Sequence, residues 1–550
     1  MPIHLDRKTL GGARAGQLAA VVRSKGRARV ERILGPADHI ESPLEGLLVE
    51  RGLRGSHPPV PSVPEAGARR DLTDLLTFTI DPETAKDFDD AISVAREGDG
   101  FRAWVHIADV SHFVPAGSPL DRAAAERTCS FYVPGTVAPM LPHELADDLC
   151  SLRPHVERFC LTVEVPFDAA LEPGAPRFYR SRIRSDARLT YGQAERILAG
   201  REGAEPALVE ALKLCEQVAS ELRRRRFARG AIQVQSPEFA FELDGEGGVV
   251  EARREGEPLA HALVEELMIR ANECVAQLLS RKRRPAIYRV HERPDPQAVQ
   301  LLLARLTSLD VPTPPAPERL AQQEAEQLAA STAERVAAYV RQSGRGREAF
   351  PSLVLRALQR ARYDPRNLGH SGLRSPAYCH FTSPIRRYSD LICHRALLNE
   401  LGESDEPLPD DLSELAEHLS EREREAAEVE YAADSLCLAW LLERRLFELG
   451  WEATFDGEII GIIESGMFVR FGKVFEGYLP ARRLGGDFFE HNALGTAMSG
   501  RRSGRTYRLG DPINVRVQEV RRSEGKVEVS LPDRTGPPTS PQGPSTATGP

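Results

Sequence analysis

The chain has 550 residues, too many for one compact core, so roughly two to four domains are expected. Its 41% hydrophobic and 28% charged residues are ordinary for a water-soluble protein, no run is long and apolar enough to span a bilayer, and the start "MPIHLDRKTLGGARAG" lacks the apolar core of a signal peptide. Eight scattered cysteines with no C-x-x-C pair argue against a disulfide or zinc framework and for reduced thiols in a cytoplasmic protein, while a net charge of −9 argues against a chain coated with nucleic acid.

The predicted elements begin with 17–35, "QLAAVVRSKGRARVERILG", which alternates like two short strands with a turn at Lys25-Gly26. Residues 1–53 are read as an N-terminal region resembling part of a small β-barrel. The Pro/Gly/Ser-rich stretch at 54–70 is read as a linker. Strands dominate from about 71 to 165, and the pattern turns helical after 187. Residues 260–280 carry apolar positions at helical spacing. Residues 412–440 place Leu412, Leu415, Leu419, Arg422, Ala426, Val429, Ala433, Leu436 and Trp440 in alternating steps of three and four, a long helix with one packed stripe. The body of the chain is thus a mixed α/β domain over 71–447. A β-rich unit follows over 448–533, with five predicted strands suiting an OB-type barrel. The tail 534–550 is rich in Pro, Gly, Ser and Thr and is expected to be disordered. The fold class is α+β, multidomain. Basic clusters such as "RRRR" at 223–226 and "RKRR" at 281–284 each read as solvated surface, although a basic channel inside an acidic shell would leave the total charge unchanged.

Between two predicted strands, "TFTIDPETAKDFDDAISVA" holds Asp81, Asp87, Asp89 and Asp90. Pro82 ends the first strand. In an extended segment Asp87 and Asp89 share a face and Asp90 points away, so an irregular backbone is needed to gather them. Gathered carboxylates repel unless a cation sits among them, and an oxygen-only set selects a hard ion, Mg²⁺ or Mn²⁺. An EF-hand is excluded, because its sixth and twelfth positions counted from Asp87 are Ile92 and Gly98. The spacing alone is equally compatible with a solvated acidic turn.

Six motifs in order remove that ambiguity: "TIDPETAKDFDDAISV", "WVHIADVSHFV", "FYVPGTVAPMLPHELADDLCSL", "LVEELMIRAN", "IYRVHERP" and "HFTSPIRRYSDLICHRAL". Together they resemble the catalytic RNB domain of the ribonuclease II/ribonuclease R family, and the unit after it resembles the family's S1 RNA-binding OB-fold. The resemblance implies a processive, hydrolytic, Mg²⁺-dependent 3′→5′ exoribonuclease. Such an enzyme works as a monomer on single-stranded RNA with a free 3′ end and releases nucleoside 5′-monophosphates. It also implies roles for single residues. Asp81, Asp87, Asp89 and Asp90 match the metal-holding set, with Asp87 and Asp89 also in catalytic roles. Arg386 matches the arginine at the scissile phosphate, with Arg387 beside it. Tyr132 and Tyr191 match base-stacking aromatics. Glu266, and Glu428 or Glu430 in the long helix, match supporting carboxylates. The region before the catalytic domain is shorter than the family's two cold-shock-type barrels.

The chemistry asks for these residue types. Several carboxylates hold the ions that activate water and stabilise the leaving oxygen, one of them accepts the water's proton (Asp89 by resemblance), and a guanidinium matches phosphate geometry. "SPIRRYSDLICHR" is expected to start a helix at Ser383-Pro384, with Arg386, Asp390 and His394 on one face, Asp390 orienting Arg386 and His394 structural. A sequence-blind grip on RNA suits stacking by tyrosines and, in the barrel, by Phe468, Phe471 and Tyr478 beside Arg470. The competing function is an RNA-binding clamp that has lost hydrolysis; the intact aspartates and Arg386 speak against it.

Overall fold

The computed structural model of the chain describes residues 5, 9–24, 27–62, 65–232, 239–254 and 259–532. The expected turn at Lys25-Gly26 and the tail 534–550 lie outside the described residues. At the front, β1 (Gln17–Ser24) and β2 (Arg27–Pro36) pair antiparallel and are followed by α1 (Glu41–Glu50). Helix α1 buries Leu44 and Leu48 in the same apolar cluster as Val429 and Leu436 of the long C-terminal helix.

The central sheet takes β3 (Arg70–Asp71), β4 (Phe78–Asp81), β5 (Asp90–Glu97) and β6 (Gly100–Ala108). Helix α2 (Pro119–Arg127) and a hairpin of β7 (Phe131–Val133) and β8 (Thr136–Ala138) intervene before β9 (Glu157–Phe167), β10 (Arg177–Arg184) and β11 (Ala187–Thr190). The spatial order is β11-β4-β5-β6-β9-β10-β3, antiparallel except at the two edges, where β11 runs parallel to β4 and β3 parallel to β10. Alternate residues face opposite sides. Ile92, Val94, Val105 and Val163 join one buried cluster, whereas Ala91, Ala108, Cys160 and Ile183 join another.

The first side is covered by α3 (Tyr191–Leu198), α4 (Pro206–Ala228) and, past the hairpin β12 (Phe239–Leu243)–β13 (Val249–Arg254), by α5 (Leu259–Arg281). The chain continues through β14 (Tyr288–Val290), α6 (Pro296–Ser308), α7 (Gln322–Ser343), α8 (Ala349–Ala357) and β15 (Arg362–Asp364), which pairs back onto β14. Then come α9 (Tyr388–Leu401), whose buried residues are shared between the two clusters, and α10 (Leu412–Leu449). Asp411 caps α10 by accepting from the N–H groups of Ser413 and Glu414. Apart from the half-buried Arg422, the expected stripe of α10 is buried from Leu419 to Trp440. No described helix is long and apolar enough to cross a membrane.

The C-terminal unit opens with β16 (Thr454–Ile463), β17 (Gly466–Phe471) and β18 (Phe475–Pro480). A separate three-stranded sheet of β19 (Phe489–His491), β20 (Ala497–Gly500) and β21 (Thr506–Arg508) intervenes before β22 (Pro512–Arg521) and β23 (Lys526–Ser530). The other five strands close a barrel in the order β16-β17-β18-β23-β22. Glu458 of the barrel accepts hydrogen bonds from the main-chain N–H groups of Arg347, Glu348 and Ala349 at 2.9, 3.1 and 2.9 Å. These are donors that the start of α8 would otherwise leave unsatisfied, so the barrel caps a helix of the preceding domain. Arg345 adds an ion pair to Asp511 at 2.9 Å.

Candidate active site

Three chain segments meet beside the end of β4. The first carries the aspartates. Strand β4 stops at Asp81, residues 82–89 leave the sheet, and β5 resumes at Asp90, so the backbone between the aspartates is irregular. Arg188 on the neighbouring β11 pins this loop by donating to the carbonyls of Pro82 and Glu83 at 2.6 and 3.0 Å. Phe88, buried between Asp87 and Asp89, is fixed by its N–H donating to Ser151 Oγ and its carbonyl accepting from Leu152 N–H.

The second segment is Ser383–Arg387. The N–H of Ile385 donates to Asp89 Oδ1 at 2.8 Å, and Arg386 Nε lies 3.5 Å from Asp89 Oδ2. The Arg386 side chain remains 45% exposed, so its guanidinium is open to a ligand from the solvent side. The third segment is 128–133. Ser130 N–H donates to the Arg386 carbonyl at 3.0 Å and Tyr388 N–H to the Thr128 carbonyl at 2.8 Å. The Tyr132 hydroxyl donates to Asp87 Oδ2 at 2.6 Å, with the residue 37% exposed.

The carboxylates sit in strained electrostatic surroundings. Burial pushes Asp81 up to about 6, and the charge of Asp87 adds to it. Burial, with the charge of Asp81, pushes Asp90 up to about 7. Burial also holds Asp89 well above the usual carboxylate range, opposed by Arg386. Oδ2 of Asp81 and Oδ2 of Asp89 are buried without a hydrogen-bond donor. Buried acceptor oxygens left over in this way fit a hard cation. Among the described residues no three or more His, Cys, Asp or Glu side chains stand together as a group that could hold a metal ion, so the four aspartates are not all brought to one point.

Several sequence expectations need correction. Helix α9 begins at Tyr388, not at Ser383-Pro384, so Arg386 precedes the helix and does not share a face with Asp390 and His394. The reason is Asp390. It is fully buried, accepts from Ser383 N–H at 2.8 Å and takes both Nε and an Nη of Arg387 at 2.9 and 2.8 Å, holding 383–387 as a turn. Asp390 therefore orients Arg387, not Arg386, and Arg387 is engaged internally rather than offered to RNA. His394 is structural as expected, with Nε2 donating to the Phe381 carbonyl at 2.8 Å. Glu266 is buried in an ion pair with Arg226 at 2.5 Å between α5 and α4, which accounts for its carboxylate without the aspartates. Phe471 is 1% exposed and belongs to the barrel core, whereas Phe468 and Tyr478 are half-buried cross-strand partners with ring centroids 5.4 Å apart.

The remaining candidates are placed as follows. Tyr191 opens α3 immediately after Thr190, the register partner of Asp81, and its ring lies 5.3 Å from that of His261. Glu428 reaches outward to Arg51 at 3.7 Å. The charges of Glu423 and Glu430 of α10 both act on the thiol of Cys129, which bridges to Arg387. Sequence reasoning missed the Ile385 N–H, the Arg188 clamp and the Tyr132–Asp87 bond. Only Arg188 had a signal, as a charged residue in an otherwise strand-like run.

A family model described as the RNB domain matches residues 69–403, and one described as the S1 RNA binding domain matches 449–531. Ribonuclease R of Escherichia coli (strain K12) is 36% identical over 506 residues, covering 88% of this chain and 60% of that protein. Ribonuclease R of Aquifex aeolicus (strain VF5) is 34% identical over 531 residues, covering 92% of this chain and 73% of that protein. The chain thus spans about three fifths of the length of the first relative. The solved structure of Mycoplasma genitalium RNase R in complex with ribose methylated single-stranded RNA matches with a TM-score of 0.84 at 26% identity, over 96% of this chain and 85% of that one.

Proposed function

The chain belongs to the RNB-domain ribonuclease II/ribonuclease R family, and from that premise we propose that it hydrolyses single-stranded RNA processively from a free 3′ end, releasing nucleoside 5′-monophosphates. The single observation that carries this reading is the junction of Asp89 with the Ile385-Arg386 turn, which sets the half-exposed guanidinium of Arg386 beside the carboxylate of Asp89.

Asp81, Asp87, Asp89 and Asp90 would hold Mg²⁺ or Mn²⁺, which when bound lowers the pKa of the attacking water and offsets charge on the phosphate. Asp89, whose Oδ1 is held by the Ile385 N–H, is the carboxylate assigned to accept the proton of that water. Arg386, exposed on its outer side, donates to the phosphate oxygens as their charge grows. The exposed ring of Tyr132, with Tyr191, stacks on bases near the 3′ end, and Phe468 and Tyr478 of the barrel grip the strand farther away. The enzyme acts as a monomer in the cytoplasm.

The test uses a 5′-labelled single-stranded oligoribonucleotide with Mg²⁺. Stepwise shortening with release of 5′-monophosphates, blocked by a modified 3′ end, is expected. Tight binding without shortening would favour a non-hydrolytic RNA clamp, and equal cleavage of DNA of the same sequence would favour a general phosphodiesterase.

A further inference from the structure

Tyr132 joins the two halves of the proposed site through one atom. Its hydroxyl donates to Asp87 Oδ2 at 2.6 Å, the length of a charge-assisted bond to a carboxylate. Among the described residues, Asp87 Oδ1 takes no such bond. The tyrosine is held from several directions. Its strand partner on β8 is Val137, whose carbonyl accepts from Arg54 at 2.8 Å, and the same guanidinium donates to Thr136 Oγ1 at 2.9 Å. Ser130, two residues earlier, is tied to the Arg386 carbonyl. The guanidinium of Arg422 lies 5.1 Å from the ring centroid of the intervening Phe131. The hydroxyl is thus delivered to Asp87 by a braced hairpin, while the other side of the residue stays open.

We propose that Tyr132 is a positioning residue for the divalent cation: its hydroxyl fixes Asp87 through Oδ2, leaving Oδ1 as the ligating oxygen, while its ring meets the RNA. Hydrogen bonds to a ligating carboxylate hold it in its binding orientation, and their loss typically weakens metal binding by about 10–100-fold. The inference rests on the reading of the aspartates as a cation site. It makes ring and hydroxyl separable: one serves RNA, the other the ion.

The experiment is titration of the RNA-free protein with Mn²⁺, following free Mn²⁺ by electron paramagnetic resonance, beside oligoribonucleotide binding in EDTA. Tyr132→Phe is expected to bind Mn²⁺ at least about tenfold more weakly than the parent and RNA within about twofold of it. Tyr132→Leu is expected to weaken both. In an Asp87→Asn background, Tyr132→Phe should produce no further loss of Mn²⁺ affinity. The inference is overturned if Tyr132→Phe binds Mn²⁺ as the parent does, or if its loss persists in the Asp87→Asn background. A parent that takes up no Mn²⁺ would remove the cation reading and this inference with it.

Discussion

The main-chain N–H of Ile385 donates to Asp89 Oδ1 at 2.8 Å across 296 residues of sequence. This bond joins the acidic loop to the turn that presents Arg386. Because a main-chain N–H is the donor, the position of Arg386 over the aspartates depends on the conformation of 383–387, and that conformation depends on Asp390.

Replacing Asp390 by Ala should therefore damage both stability and turnover. Asp390 is fully buried and neutralises Arg387, so removing it leaves an unpaired charge, which typically costs about 3–5 kcal/mol. Urea unfolding measures this. The double variant Asp390→Leu/Arg387→Met should recover much of the stability, because an apolar pair needs no charge partner. It should not recover turnover, because Ser383 N–H still lacks its acceptor. Recovery of both would show that the turn does not require Asp390.

The raised carboxylates give a pH signature. Asp81 and Asp90 are lifted from 3.8 to about 6 and about 7. Between pH 3.8 and about 7 the folded protein binds more protons at these groups than the unfolded chain does, so their contribution to stability falls as pH rises and is fully lost above about 7. Buried histidines such as His106, pushed down to about 3 by burial, act in the opposite direction, so the comparison must be between variants. In EDTA, Asp90→Asn should raise the melting temperature over the parent by a few degrees at pH 8 and by much less at pH 5. Mg²⁺ should stabilise the parent more at pH 8 than at pH 5. An Asp90→Asn gain that is the same at both pH values would contradict the assigned environment.

Arg54 lies outside the catalytic sheet yet braces β8 opposite Tyr132 and pairs with Glu45 of α1 at 2.6 Å. Arg54, at the start of the stretch expected as a linker, is with α1 a buttress for the base-facing hairpin. Arg54→Ala should raise KM for a short oligoribonucleotide by about three- to tenfold, the loss of roughly one ordinary net hydrogen bond, with kcat little changed. Steady-state kinetics on substrates of several lengths checks this; an unchanged KM would mean the hairpin holds itself.

What could be read from the sequence followed the reach of local pattern. The five barrel strands and the stripe of α10 were legible because side-chain periods of 2 and 3.6 are printed in consecutive residues. The site's irregular backbone was legible because Pro82 and the parity of Asp87, Asp89 and Asp90 required it. The inserted sheet β19–β21 was missed, since its strands are three or four residues long and carry too few alternations. The partner of Asp390 was misassigned because spacing by four assumes a helix, and the chain at Arg386 is a turn. Glu266 and the Tyr132 hydroxyl find their partners 40 and 45 residues away, distances at which no local period carries information.

The most direct test of the account is Asp89→Asn measured beside the parent for Mg²⁺-dependent release of nucleoside 5′-monophosphates from a single-stranded oligoribonucleotide. Asparagine keeps an oxygen for the Ile385 N–H, so the turn and Arg386 should hold their places. The account predicts RNA binding within about twofold of the parent and turnover reduced by at least about 100-fold, the scale of a lost general base. Turnover within about tenfold of the parent would contradict it, because proton acceptance would then lie elsewhere than Asp89.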